Sequence, residues 1–146
     1  MSDFRKLTES MWASPQITVQ DVADAAQQGV TLLINNRPDD EEEGQPEGDA
    51  ISAAAAANGM AYTAIPVGHA GFGEAQVKAM ADALEVADGR VLAYCRSGTR
   101  STYLWALAQA SRGEDPAKLV QAAQGARYDI SSITPTLEML ANKARD

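Results

Sequence analysis

The chain's single cysteine, Cys95, stands in the run Cys95-Arg96-Ser97-Gly98-Thr99-Arg100-Ser101, where residue types and spacing suit covalent chemistry. An apolar run, Arg90-Val-Leu-Ala-Tyr, leads into the cysteine, and a helical pattern follows from Ser101. A strand-to-helix junction of this kind sets the sulfur over a helix N-terminus, where inward backbone N–H groups and the helix dipole attract negative charge. Arg96 and Arg100 add full positive charges, so both an anionic substrate and a thiolate are stabilised there. Gly98 permits the positive φ that such a turn requires. Ser101 is expected to cap the helix and to donate a hydrogen bond to the sulfur when it departs as a leaving group. Ser97 and Thr99 complete a cradle whose amides would hold the anion. A buried, inert cysteine would need neither the arginines nor the glycine.

Three further residues are candidates for the wall of this site. Arg37 and Asp39 follow a strand and are delivered to the C-terminal sheet edge, where ligands bind in open α/β sheets. Arg37 is expected to order the wall or to pair with Asp39 or Glu42. His69, in the loop Gly68-His-Ala-Gly-Phe-Gly73, could supply a proton, because imidazole side chains as a class exchange protons near neutrality, and so could Asp39. The acidic run Asp39-Asp40-Glu41-Glu42-Glu43 reads as a solvated loop.

The elements that must position these groups alternate. Thr18 caps a short helix that ends before Gly29, and Val30 to Asn36 is a β-branched, apolar strand stopped by Arg37-Pro38. Residues 38 to 48 form a loop, Ile51 to Ala57 a helix stopped by Asn58-Gly59, and Met60 to Val67 a second strand. Glu74 to Ala87 is an amphipathic helix, and Arg90 to Cys95 is the strand that carries the nucleophile. Ser101 to Ser111 is a helix buried on most sides, with Trp105 in the core. Pro116 to Ala126 and Pro135 to Ala144 are the last helices. This order predicts one α/β domain over residues 1–146, with a mostly parallel central sheet flanked by helices.

With 146 residues, the chain suits one hydrophobic core, and it shows no internal repeat or dividing linker. The net charge of −8 opposes nucleic acid and anionic membrane surfaces as partners. No apolar run approaches the roughly 20 residues of a membrane span. The N-terminus lacks the order of a secretory signal, and a cytoplasmic location is expected. One cysteine and one histidine give no soft-ligand cluster, so neither a metal nor another cofactor is expected.

The cysteine loop resembles those of single-domain rhodaneses, which often read Cys-Arg-Ser-Gly-x-Arg, and of cysteine-dependent protein phosphatases. The combination of Ile34-Asn-Asn-Arg-Pro-Asp39, Ile65-Pro-Val67 and Tyr94-Cys-Arg-Ser-Gly-Thr-Arg-Ser101, followed by Leu104-Trp-Ala-Leu107, is similar to the beta-lactamase hydrolase-like phosphatase-like family, DUF442. That resemblance runs from about Leu7 to Leu107. It implies a dual-specificity-phosphatase-like fold, found alone or fused to a persulfide dioxygenase of metallo-β-lactamase type, which makes such a dioxygenase an expected partner. Members are described both as phosphatases and as sulfurtransferases.

Phosphatases of this architecture place five residues between cysteine and arginine, whereas four separate Cys95 from Arg100. They also carry histidine where this chain has Tyr94, and an acidic residue in the loop that here contains no carboxylate before Glu74. A narrower ring suits a sulfane-sulfur adduct better than a phosphoryl group. The first expectation is therefore a sulfurtransferase. Cys95 would take sulfur as a persulfide from a small anionic donor such as thiosulfate, with Arg96, Arg100 and the amides of Ser97 to Ser101 holding the donor. The second is a phosphatase acting on a phosphorylated substrate through a phosphocysteine, with Arg100 as the clamp. A non-catalytic anion-binding or thiol redox-sensing module is the third.

Overall fold

Alternation along three neighbouring strands divides the apolar side chains between two faces of one sheet. Leu33, Leu92, Tyr94 and Trp12 pack on one side with Ile51, Ile17 and Val22. Ile34, Ala93, Val91 and Ala13 pack on the other with Leu104, Trp105, Leu119 and Leu137. A side-chain period of two requires this division, and helices cover both faces. The computed structural model describes residues 2–68 and 70–145.

The strands are β1 (Arg5–Lys6), β2 (Met11–Ser14), β3 (Val30–Asn35), β4 (Ala61–Ala64) and β5 (Arg90–Tyr94), and their order across the sheet is β1-β2-β5-β3-β4. Only β1 runs antiparallel to its neighbour. The expected mostly parallel α/β sheet is therefore present, with β5 and its cysteine flanked by β2 and β3. Strands β1 and β2 are additional to the expected elements. The short segment Met11–Ser14 is buried at every residue and has no polar alternation to mark it. Its ladder partner, Val91–Tyr94, lies about eighty residues away.

Helices α1 (Val19–Gln27) and α2 (Gly48–Ala57) cover one face, and α3 (Glu74–Val86), α4 (Thr99–Ser111), α5 (Pro116–Gly125) and α6 (Thr134–Arg145) cover the other. Thr18 and Asp21 form the reciprocal capping box that starts α1. As expected, α4 is buried on most sides, and Trp105 is 2% exposed.

Two boundaries differ from expectation for reasons that bear on the site. The β4 ladder stops at Ala64 because Pro66 has no N–H to donate. Ile65 and Val67 nonetheless donate backbone hydrogen bonds to Asn35 and Asn36 at 2.9 and 3.0 Å, which draws this edge along the end of β3. And α4 begins at Thr99 rather than Ser101, because Gly98 takes the left-handed conformation, φ +93°, at its N-cap. Among the described residues, no helix is long and apolar enough to cross a membrane.

Candidate active site

Cys95 leaves the C-terminal end of β5 fully buried, and its backbone N–H donates to the Ser14 carbonyl at 3.4 Å. The loop then folds back until the Gly98 N–H donates to the Cys95 sulfur at 3.1 Å. Hence one inward amide of the anticipated cradle already engages the nucleophile. The following amide is partly diverted, since Thr99 N–H donates to Ser97 Oγ at 3.3 Å. The carbonyl of Ser97 faces the opposite way and accepts the Tyr128 hydroxyl at 2.9 Å. On the β2 side, Gln16 N–H donates to the Arg96 carbonyl at 3.2 Å, pinning the start of the loop.

Arg100 enters from the first turn of α4. Its Nη1 and Nη2 each donate to one carboxylate oxygen of Glu41 at 2.8 Å, and Nη1 also donates to the Val67 carbonyl at 2.7 Å. This end-on fork leaves the lateral edge, Nε–H with the second Nη2–H, for an anion. The Glu41 carboxylate, and after it the charge of Cys95, raise the pKa of Arg100, whereas burial works against them. Arg100 stays charged.

Glu41 belongs to the acidic run expected as a solvated loop. Its pKa falls from the ordinary 4.5 to about 2, first through the Arg100 hydrogen bonds and then, against the effect of burial, through Arg37. Arg37 is 3% exposed, donates from Nε to Glu41 at 2.9 Å and from Nη1 to Gln16 Oε1 at 3.1 Å, and pairs with Glu42 at 3.8 Å. Arg37 thus pairs with Glu42, with Glu41 as the closer partner. Exposed Arg96 meets Glu42 at 3.3 Å. Two carboxylates of the acidic run thus tie down all three arginines around the cysteine. A helix-like spacing of four from Arg37 to Glu41 was the one available signal, and a loop position hid it.

Two expected site residues have other roles. Ser101 is fully buried in the first turn of α4, and its hydroxyl donates to Asn36 Oδ1 at 2.7 Å, while Asn36 Nδ2 donates to the Ile65 carbonyl at 2.9 Å. Its proton is committed to Asn36 rather than to the sulfur, and Gly98, not Ser101, is the N-cap. Asp39 is held at the start of α2, where Oδ1 accepts the Gly48 N–H at 2.8 Å. A free helix amide is a stronger attraction for that carboxylate than solvent. His69 lies outside the described residues. No cluster of three potential metal ligands occurs among the described residues.

The family model for the "Beta-lactamase hydrolase-like protein, phosphatase-like domain" matches residues 3–112. A beta-lactamase hydrolase-like protein of Xylella fastidiosa is 35% identical over 136 residues, covering 92% of this chain and 32% of its own length. The chain thus spans about a third of that curated relative. Among solved structures, a Neisseria meningitidis protein described as a phosphatase candidate superposes with a TM-score of 0.83 at 31% identity, covering 96% of this chain and 99% of that one. Kinase-associated phosphatase, solved with its catalytic cysteine replaced by serine, shares the fold at a TM-score of 0.73 and 12% identity, with 99% and 96% of the two chains covered.

Proposed function

The chain belongs to the beta-lactamase hydrolase-like phosphatase-like domain family, and from that premise we propose that it is a cysteine-dependent phosphoric monoester hydrolase. The comparisons favour phosphoryl chemistry over the sulfur transfer anticipated from the short loop, which reverses the order of those two readings. The observation that carries the proposal is the Gly98 N–H on the Cys95 sulfur, 3.1 Å away, at the N-terminus of α4, with the charge of Arg100 close enough to act on Cys95.

In this reading the Cys95 thiolate attacks phosphorus, and the bond from phosphorus to the leaving oxygen breaks with its electron pair going to that oxygen. Arg100 and the inward amide hold the phosphoryl oxygens, on which charge is spread in the transition state. Water then attacks the phosphocysteine, the sulfur–phosphorus bond breaks, and thiolate and inorganic phosphate separate as the water gives up a proton. Asp39 is engaged at α2, and Glu41 is ionised at neutral pH, so neither is placed to protonate a leaving alcohol. On the described residues alone, substrates whose leaving group departs as an anion, aryl phosphates among them, fit this site best.

Sulfur transfer is kept as a second reading because of the four-residue spacing from Cys95 to Arg100 and the lack of a carboxylate between Gly68 and Gly73. Phosphate release from an aryl phosphate, compared between wild type and Cys95→Ser, tests the first reading. A loss of about a thousandfold or more in the variant is expected. Cysteine-dependent thiocyanate formation from thiosulfate and cyanide, without phosphate release, would establish the second in its place.

A further inference from the structure

We propose that Tyr128 is a positioning residue of the Cys95 site, holding the Ser97–Gly98 peptide so that its N–H faces the sulfur; this rests on the reading of Cys95 as the nucleophile. The carbonyl of Ser97 and the N–H of Gly98 belong to one planar trans peptide, so they point in opposite directions. Tyr128 Oη donates to that carbonyl at 2.9 Å, and Gly98 N–H donates to Cys95 Sγ at 3.1 Å. A single hydroxyl outside the loop thereby sets the direction of the amide inside it.

The lock has a purpose that glycine creates. With no Cβ, Gly98 could rotate this peptide to present its carbonyl inward at little steric cost, which would place a partial negative charge against a thiolate or a bound oxyanion. A partner for the carbonyl on the outer side removes that alternative. The same glycine makes room for the tyrosine, since a Cβ at position 98 would collide with Tyr128 Oη and come within 2.8 Å of Cζ.

Tyr128 is itself held firmly. It is 6% exposed, its N–H donates to the Ala123 carbonyl at 2.9 Å after α5, and the Arg5 guanidinium lies 4.8 Å from its ring centroid. The preceding residue, Arg127, adopts φ +70°, the left-handed region that non-glycine residues occupy uncommonly. Burial, opposed by the charge of Arg5 and aided by that of Cys95, raises the phenol above its ordinary 10, so the hydroxyl remains a donor.

Tyr128→Phe removes the donor and keeps the ring. With an aryl phosphate, kcat is expected to fall about tenfold while KM changes less than about threefold, and binding of inorganic vanadate to weaken about tenfold. The Tyr103→Phe control, whose hydroxyl is exposed at Ser132, leaves all three unchanged. The Gly98 amide nitrogen–proton resonance provides a readout independent of turnover: it is expected to shift, and to exchange with solvent about tenfold faster, in Tyr128→Phe. With Tyr128 intact, the same resonance is expected to shift on Cys95→Ser, which tests the hydrogen bond even if the tyrosine variant folds poorly. A Gly98 resonance that is unchanged in Tyr128→Phe, or insensitive to Cys95→Ser, would overturn the proposal. If no variant releases phosphate but the resonance responds as stated, the phosphatase reading fails and the positioning role stands.

Discussion

Glu41 grips both terminal nitrogens of Arg100 through both of its carboxylate oxygens, each pair at 2.8 Å, across 59 positions of sequence. The fork fixes the guanidinium plane, and the Val67 carbonyl fixes it from a third direction. Among the described contacts, what remains is the lateral donor pair, Nε–H with the second Nη2–H. Glu41 therefore orients the residue that would clamp a phosphoryl group.

Glu41→Ala is expected to lower kcat/KM for an aryl phosphate by about ten- to a hundredfold, since small displacements of a positioning group carry penalties of that order. Steady-state kinetics measure this. A rise in kcat/KM would instead mean that the carboxylate competes with the substrate for Arg100.

The same pair makes stability depend on acid. The folded-state pKa of Glu41 is depressed to about 2 from 4.5, so its contribution is present above about 4.5 and is lost as the pH falls through about 2. Glu41→Gln should therefore be less stable than wild type at neutral pH, and the gap should narrow between about 4.5 and about 2. Urea unfolding across that interval checks the sign.

Ser101→Ala leaves the buried Asn36 Oδ1 without its donor, at a cost of about 1–3 kcal/mol. Thermal unfolding should shift downward by several degrees, while turnover of the folded protein changes less than about threefold. A large selective loss in hydrolysis of the phosphocysteine would return Ser101 to the role of a donor to sulfur.

Asp39→Asn should weaken the start of α2 and cost about 1 kcal/mol without altering kcat. A collapse of kcat confined to substrates with poor leaving groups would identify Asp39 as the general acid. For the wild type, rates across a series of phosphate esters should fall steeply as the leaving group becomes more basic, because neither Asp39 nor Glu41 is placed to protonate it.

Much of this protein was legible in order along the chain. Helix caps such as Thr18, the apolar run Val30–Asn35, and the cysteine, arginines and glycine of residues 95–100 act through neighbours a few positions apart, and local physics is written in local spacing. Hence the sequence alone determined the α/β alternation and the placing of Cys95 at a strand-to-helix junction. It could not determine which distant groups close that site. The docking of β2 beside β5, the capture of Arg100 by Glu41, the commitment of Ser101 to Asn36, and the Tyr128 hydroxyl on the Ser97 carbonyl all join positions 31 to about 80 residues apart. Only the packed sheet and helices bring such pairs within hydrogen-bonding reach, and a short-range force between distant residues leaves no period or spacing to read. The tertiary structure also decided that Asp39 serves a helix, because the α2 amide it caps becomes its neighbour only once β3 and α2 have packed.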